Sequence, residues 1–151
     1  MSAEKNLIKL NINLPKAPDP VGSYVASKIV GNLIYISGQV SFNLKGELTK
    51  GKIGKELSLE EGQVAAKLCA INILAQLKKK CGSLDKVKGC IKLTGYVNST
   101  ETFIDQPKVL NGASDLISSI FEDGGKHTRA AISVNSLPLG AAVEVDGIFE
   151  L

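Results

Sequence analysis

Tryptophan is absent from this sequence, histidine occurs once (His127) and arginine once (Arg129), against seventeen lysines. With three tyrosines and four phenylalanines, aromatic residues are also few, and no basic patch is interleaved with them. That argues against a surface built to stack and neutralise nucleic acid, and no nucleic-acid partner is expected. No run approaches the roughly 18 apolar residues of a membrane span. The start, Met1 to Lys9, carries Glu4 and Lys5 and lacks the apolar stretch of a signal peptide, so no membrane partner is expected either. Three cysteines, Cys69, Cys81 and Cys90, make an odd number without CxxC spacing. The simplest account is a cytoplasmic chain with reduced thiols and no metal site. GxSxG, HExxH and P-loop patterns are missing, and Gly31, Gly38 and Gly46 form no nucleotide fingerprint. No cofactor is expected.

What is present fits one globular domain. The chain has 151 residues, 44% of them hydrophobic and 22% charged, enough to bury a substantial core. The net charge of +3 is spread thinly. Its densest cluster, Lys78 to Lys80, falls where a helix should end, and cations there complement the helix dipole. Residues 1–17 read as an extended N-terminal arm and 18–151 as a single domain. Tyr24 to Val30, the turn Gly31-Asn32 and Leu33 to Ile36 suggest a β-hairpin. Ser41 to Leu57 reads as a loop. Ser58 with Glu61 forms a capping box for a helix that Gly82 ends, with Val64, Leu68, Ile71, Ala75, Ile73, Leu74 and Leu77 as its apolar stripe. Val87 to Val97 favours a strand and Thr102 to Phe121 a second helix. Arg129 to Asn135 and Ala142 to Phe149 close the chain as strands across Leu137 to Gly140. The expected class is α+β, ordered β-β-α-β-α-β-β, with a mixed sheet covered on one face by two helices. The strands are apolar on both faces, which favours a partner subunit.

Three residues stand out chemically. Arg129 survives in a lysine-rich chain, and lysine cannot supply the two N–H groups that grip a planar carboxylate. Chance survival, or a pairing across a subunit contact, would leave the same trace. His127 lies two residues earlier and shares a face with Arg129 if the strand has begun there. It can bind or pass a proton beside a carboxylate site, or simply be hydrogen-bonded at the start of a strand. Glu144 alternates with Val143 and Val145 and shares its face with Asp146 and Glu150. It can activate water or balance Arg129, and a solvated strand face would look the same.

The tail from His127 through Arg129, Pro138 and Glu144 resembles the signature of the Rid family, also called YjgF or reactive intermediate deaminases. There an arginine strand, a Leu-Pro turn and a Val-Glu-Val strand follow in this order. Gly22-Ser23-Tyr24 is similar to the family's Gly-Pro-Tyr, Ser37-Gly38-Gln39 to its Ser-Gly-Gln, and Asn111 stands where the family has an asparagine. The resemblance implies a chorismate-mutase-like fold and a homotrimer with sites in the clefts between subunits. It implies hydrolysis of 2-enamino or 2-imino acids to 2-oxo acids and ammonia. Arg129 would then clamp the carboxylate and Glu144 position or activate water, while Tyr24, Ser37 and Asn111 line the pocket. Ala131 stands where the deaminases commonly have cysteine. A non-catalytic protein that senses small carboxylates in the same cleft is the alternative.

Overall fold

A computed structural model describes residues 2–151. After a short N-terminal helix α1 (Ala3–Lys9), strands β1 (Ser27–Val30) and β2 (Leu33–Val40) form a hairpin. Helix α2 (Leu59–Cys81), strand β3 (Gly89–Asn98), helix α3 (Gln106–Phe121) and strands β4 (Thr128–Val134) and β5 (Val143–Glu150) follow. The five strands form one sheet in the order β1-β2-β5-β3-β4. Only β3 and β4 pair in parallel, through α3 as crossover; the other pairs are antiparallel. The chain is therefore a mixed α+β fold, as its alternation of elements implied.

Local chemistry explains the helix ends. Ser58 Oγ accepts from the Glu61 N–H while the Glu61 carboxylate accepts from the Ser58 N–H. At the far end Gly82 adopts a left-handed conformation (φ 81°) and its N–H reaches the Lys78 carbonyl. Helix α3 starts four residues later than Thr102, at Gln106. Pro107 fits a first turn, where its missing N–H is not needed, but its ring disfavours helix upstream.

The buried face of α2 differs from the expected stripe. Ala65, Ala66, Cys69, Ala70, Ile73, Leu74 and Leu77 are buried, whereas Val64 is 60% exposed. Small residues win because the neighbours come close: Gly112 of α3 lies so near the Gln63 backbone that a methyl there would collide.

Residues 1–17 do not form the extended arm that the prolines suggest throughout. Ala3–Lys9 is helical, and Ala3, Asn6 and Leu7 are buried at helical spacing. Ser2 caps it, and the Ser2 hydroxyl also donates to Asp85. Glu4 accepts from Lys78 Nζ at 2.7 Å and from the Leu84 N–H at 3.0 Å, and Asn6 Nδ2 donates to the Ile120 carbonyl. Beyond it, the arm runs over α2, where Gln76 Nε2 donates to the Pro18 carbonyl. So three helices, not two, accompany the sheet.

Candidate active site

The position of Arg129 follows from strand pairing. In β4 it is level with Leu93, which is fully buried, and Ala131 is level with Gly95, which packs against Leu110 of α3. Paired residues share a face, so Arg129, Ala131 and Ser133 face α3, while Thr128, Ala130, Ile132 and Val134 face away. Because β4 is an edge strand, Arg129 is exposed at that edge, beside α3. Its Nη1 donates to Asn111 Oδ1 at 2.8 Å and to Ser114 Oγ at 3.2 Å. Those two bonds use both hydrogens of Nη1. Among the described residues the Nε–H and the Nη2 hydrogens have no partner, and no carboxylate pairs with the guanidinium. The Nε/Nη2 edge is thus a free fork of the kind that binds a carboxylate through two parallel N–H bonds.

His127 joins the same cluster. Its Nε2 lies 3.0 Å from Ser114 Oγ and its Nδ1 lies 2.6 Å from the Gly125 carbonyl. Arg129, Asn111 and His127 therefore meet around Ser114. Ser114 is three residues after Asn111 and so shares its helix face; that spacing is the signal that could have revealed it.

Glu144 sits elsewhere. Val143 and Val145 are buried on the face that packs against α2, so Glu144 points to the opposite face of the sheet, level with Tyr96. There it packs on Gly38, where a methyl would collide with the carboxylate. Gly38 belongs to a β-bulge: Ser37 and Gly38 together oppose a single residue, Asp146. Glu144 accepts no hydrogen bond among the described residues. Burial first, then the neighbouring Asp146 charge, pushes its carboxyl above the usual range. Asp146 itself accepts from the Tyr96 hydroxyl at 2.9 Å. The same burial, with that hydrogen bond, raises the Tyr96 phenol. Tyr96 was not singled out in the sequence, and neither were its bond to Asp146 nor the contact of Gly38 with Glu144, because only strand register brings these residues together.

Ser37 is the neighbour of Gly38 in the bulge, and Tyr24 lies just before β1. Ser37 Oγ donates to the Val25 carbonyl at 2.6 Å and the Ser37 N–H to the Ala26 carbonyl, tying the segment before β1 to the bulge. Tyr24, in that segment, is 54% exposed. Of the six candidate residues, Arg129, Asn111 and His127 thus meet on the α3 side of the sheet, while Glu144 lies on its opposite face. The grooves along α2 and the arm (about 400 and 620 Å³) contain none of the six.

The cysteines lie outside both groups. Burial pushes all three thiols up, Cys90 to about 12, so none is poised as a thiolate. Among the described residues no His, Cys, Asp and Glu cluster could hold a metal ion, and no helix is long and apolar enough to cross a membrane.

Comparison with known proteins agrees with this architecture. Residues 4–151 match the family described as "YjgF/chorismate_mutase-like, putative endoribonuclease". Protein TCP17 of Trypanosoma cruzi is 45% identical over 147 residues, covering 97% of this chain and 92% of that protein. The 2-iminobutanoate/2-iminopropanoate deaminase of Rattus norvegicus is 27% identical over 144 residues, 95% of this chain and 90% of its own. The crystal structure of Atu1372 from Agrobacterium tumefaciens, of unknown function, superposes with a TM-score of 0.90 at 41% identity, over 99% of this chain and 93% of that one. The chain belongs to the YjgF/chorismate-mutase-like, or Rid, family.

Proposed function

We propose that this protein hydrolyses 2-imino acids, and the enamino acids that tautomerise to them, to 2-oxo acids and ammonia. The observation that carries the reading is the free Nε/Nη2 edge of a lone arginine that no carboxylate among the described residues neutralises. A 2-imino acid offers a planar carboxylate next to an electrophilic C=N carbon, which matches one fork and one activated water. Arg129 holds the carboxylate. Glu144, with a raised carboxyl and no hydrogen-bond donor among the described residues, takes a proton from water as the water oxygen bonds to the imine carbon, and passes that proton to the imine nitrogen. The resulting carbinolamine loses ammonia as the C–N bond breaks and the carbonyl forms. Held in place, so reactive an electrophile needs little further help.

Arg129 and Glu144 face opposite sides of one sheet, so in this reading they meet across a subunit boundary. The β4–α3 edge of one subunit would face the Glu144 surface of the next, in a homotrimer. Exposed apolar side chains beside these surfaces support such a contact: Tyr35 is 42% and Ile132 47% exposed, both on the face away from the helices. The three cysteines are free, and a cytoplasmic setting belongs to the same reading. In this reading Tyr24, Ser37 and Asn111 line the cleft.

The test is ammonia release from freshly generated 2-iminobutanoate by the wild type and Arg129→Ala, above the spontaneous rate. Acceleration lost in the variant supports the reading, and no acceleration by the wild type overturns it. The non-catalytic reading is separated by Glu144→Gln, which keeps shape and should keep 2-oxo acid binding while turnover falls by about a hundredfold or more.

A further inference from the structure

Both ring nitrogens of His127 are occupied within the chain, which leaves it no atom to offer a substrate. The direction of each bond is set by chemistry. The Gly125 carbonyl only accepts, so Nδ1 carries the proton and donates to it. In the neutral imidazole Nε2 then only accepts, so the Ser114 hydroxyl donates to Nε2. With its hydrogen committed, Ser114 Oγ presents lone pairs, and Arg129 Nη1, which can only donate, supplies the bond to it. The order is therefore Arg129 to Ser114 to His127 to Gly125, with one donor and one acceptor at every link.

The far end of this series is immobile. A methyl at Gly125 would collide with the α3 backbone at Ser118, and one at Gly124 with the Lys88 carbonyl, so the turn is clamped between α3 and the start of β3. Gly125 is buried. The near end is a long side chain on an exposed edge strand, which has several rotamers to lose. Asn111 alone would fix one hydrogen of Nη1; the second bond, to Ser114, fixes the rotation of the guanidinium plane.

We propose that Ser114 and His127 are positioning residues that orient the Arg129 guanidinium, through the clamped Gly125 carbonyl, so that its Nε/Nη2 edge is presented to the ligand carboxylate. The inference rests on reading Arg129 as the carboxylate clamp. It moves His127 from the pocket wall, where its place beside Arg129 in the sequence puts it, to the support behind the wall. It also accounts for a lone histidine in a chain whose other cationic side chains, Arg129 apart, are all lysine: lysine has no acceptor and would break the series at its second link.

Because arginine and histidine each occur once, their side-chain ¹⁵N signals are assigned by the sequence itself. Long-range ¹H–¹⁵N spectra of the neutral imidazole should show the Nδ1-protonated tautomer, and the Nε2-protonated tautomer would overturn the series. Ser114→Ala should speed rotation of the Arg129 guanidinium and weaken 2-oxobutanoate binding about three- to tenfold. His127→Leu should weaken it in the same direction. His127→Gln, whose side-chain oxygen can still accept from Ser114, should recover most of the loss. KM should carry the effect, with kcat at saturation changed less than twofold. Equal guanidinium rotation and equal affinity in wild type, Ser114→Ala and His127→Leu would refute the inference. If the wild type binds no 2-oxo acid, the functional reading fails, while tautomer and rotation still decide on the relay.

Discussion

Arg129 is the residue on which the site turns, and its environment makes a sharp prediction. Two of its N–H groups are held by Asn111 and Ser114, and the fork on the other side is free. Arg129→Lys keeps the charge and loses the fork, at a cost near that of a charged hydrogen bond, about 1.5–3 kcal/mol. Calorimetric binding of pyruvate or 2-oxobutanoate should weaken roughly ten- to a hundredfold. The thermal melt should hold, since the guanidinium lies at an exposed strand edge and not in the core; equal binding in a folded variant would place the carboxylate site elsewhere. Glu144 offers a second prediction at this scale. Its carboxyl is raised by burial and by Asp146, and the base must be ionised to accept a proton, so the rate should fall as pH drops through its raised pKa. Asp146→Asn removes the like charge and should move that acid limb to lower pH, whereas an unmoved limb would assign it to another group.

At the scale of elements, what could be read in advance depended on whether the signal was local. The bounds of α2 were legible because the Ser58–Glu61 box and Gly82 act within a single turn. The second half of β2 was not, because Ser37-Gly38 break the alternation by a bulge whose purpose appears only once β5 lies beside it. Arg129 stood out by its uniqueness, whereas Tyr24, Ser37 and Asn111 became candidates only through the resemblance to the family. The division of Arg129 and Glu144 between two faces was not legible, because the face of a strand residue follows from pairing register, which no single segment contains. Helix α1 was missed since seven residues give too short a period to recognise, and its stability comes from tertiary bonds. That makes it testable. Burial works against the Glu4 carboxylate, yet hydrogen bonds from Lys78 and Leu84 outweigh it and hold the carboxyl below its usual range. A lowered carboxyl stabilises above its ordinary pKa, and the gain is lost as pH falls through the folded value. Glu4→Gln should therefore melt about 1–3 °C lower at pH 7, with the gap closing below about pH 4. A gap that stays constant with pH would mean that the charge of Glu4 is not what anchors α1.

For the whole molecule, the division of the site between two faces of the sheet becomes an experiment on assembly. In the proposed closed ring each cleft would take its Arg129 from one subunit and its Glu144 from the next. Light scattering should then give about three times the 15.9 kDa chain mass, and Ile132→Glu, which puts a charge on the exposed face of β4, should favour monomers. Mass alone does not show that clefts are shared, but mixing does. Arg129→Ala and Glu144→Gln should each be nearly inactive as pure proteins. Refolded together in equal amounts, they form mixed rings in which a cleft draws an intact Arg129 half the time and an intact Glu144 half the time. About a quarter of the clefts are then complete, and about a quarter of wild-type turnover should return. The recovery should vanish when the variants are mixed without subunit exchange. If each site were built within one chain, every subunit in the mixture would still lack one of the two residues and no activity would return, so a dead mixture of well-folded trimers would rule out the shared cleft.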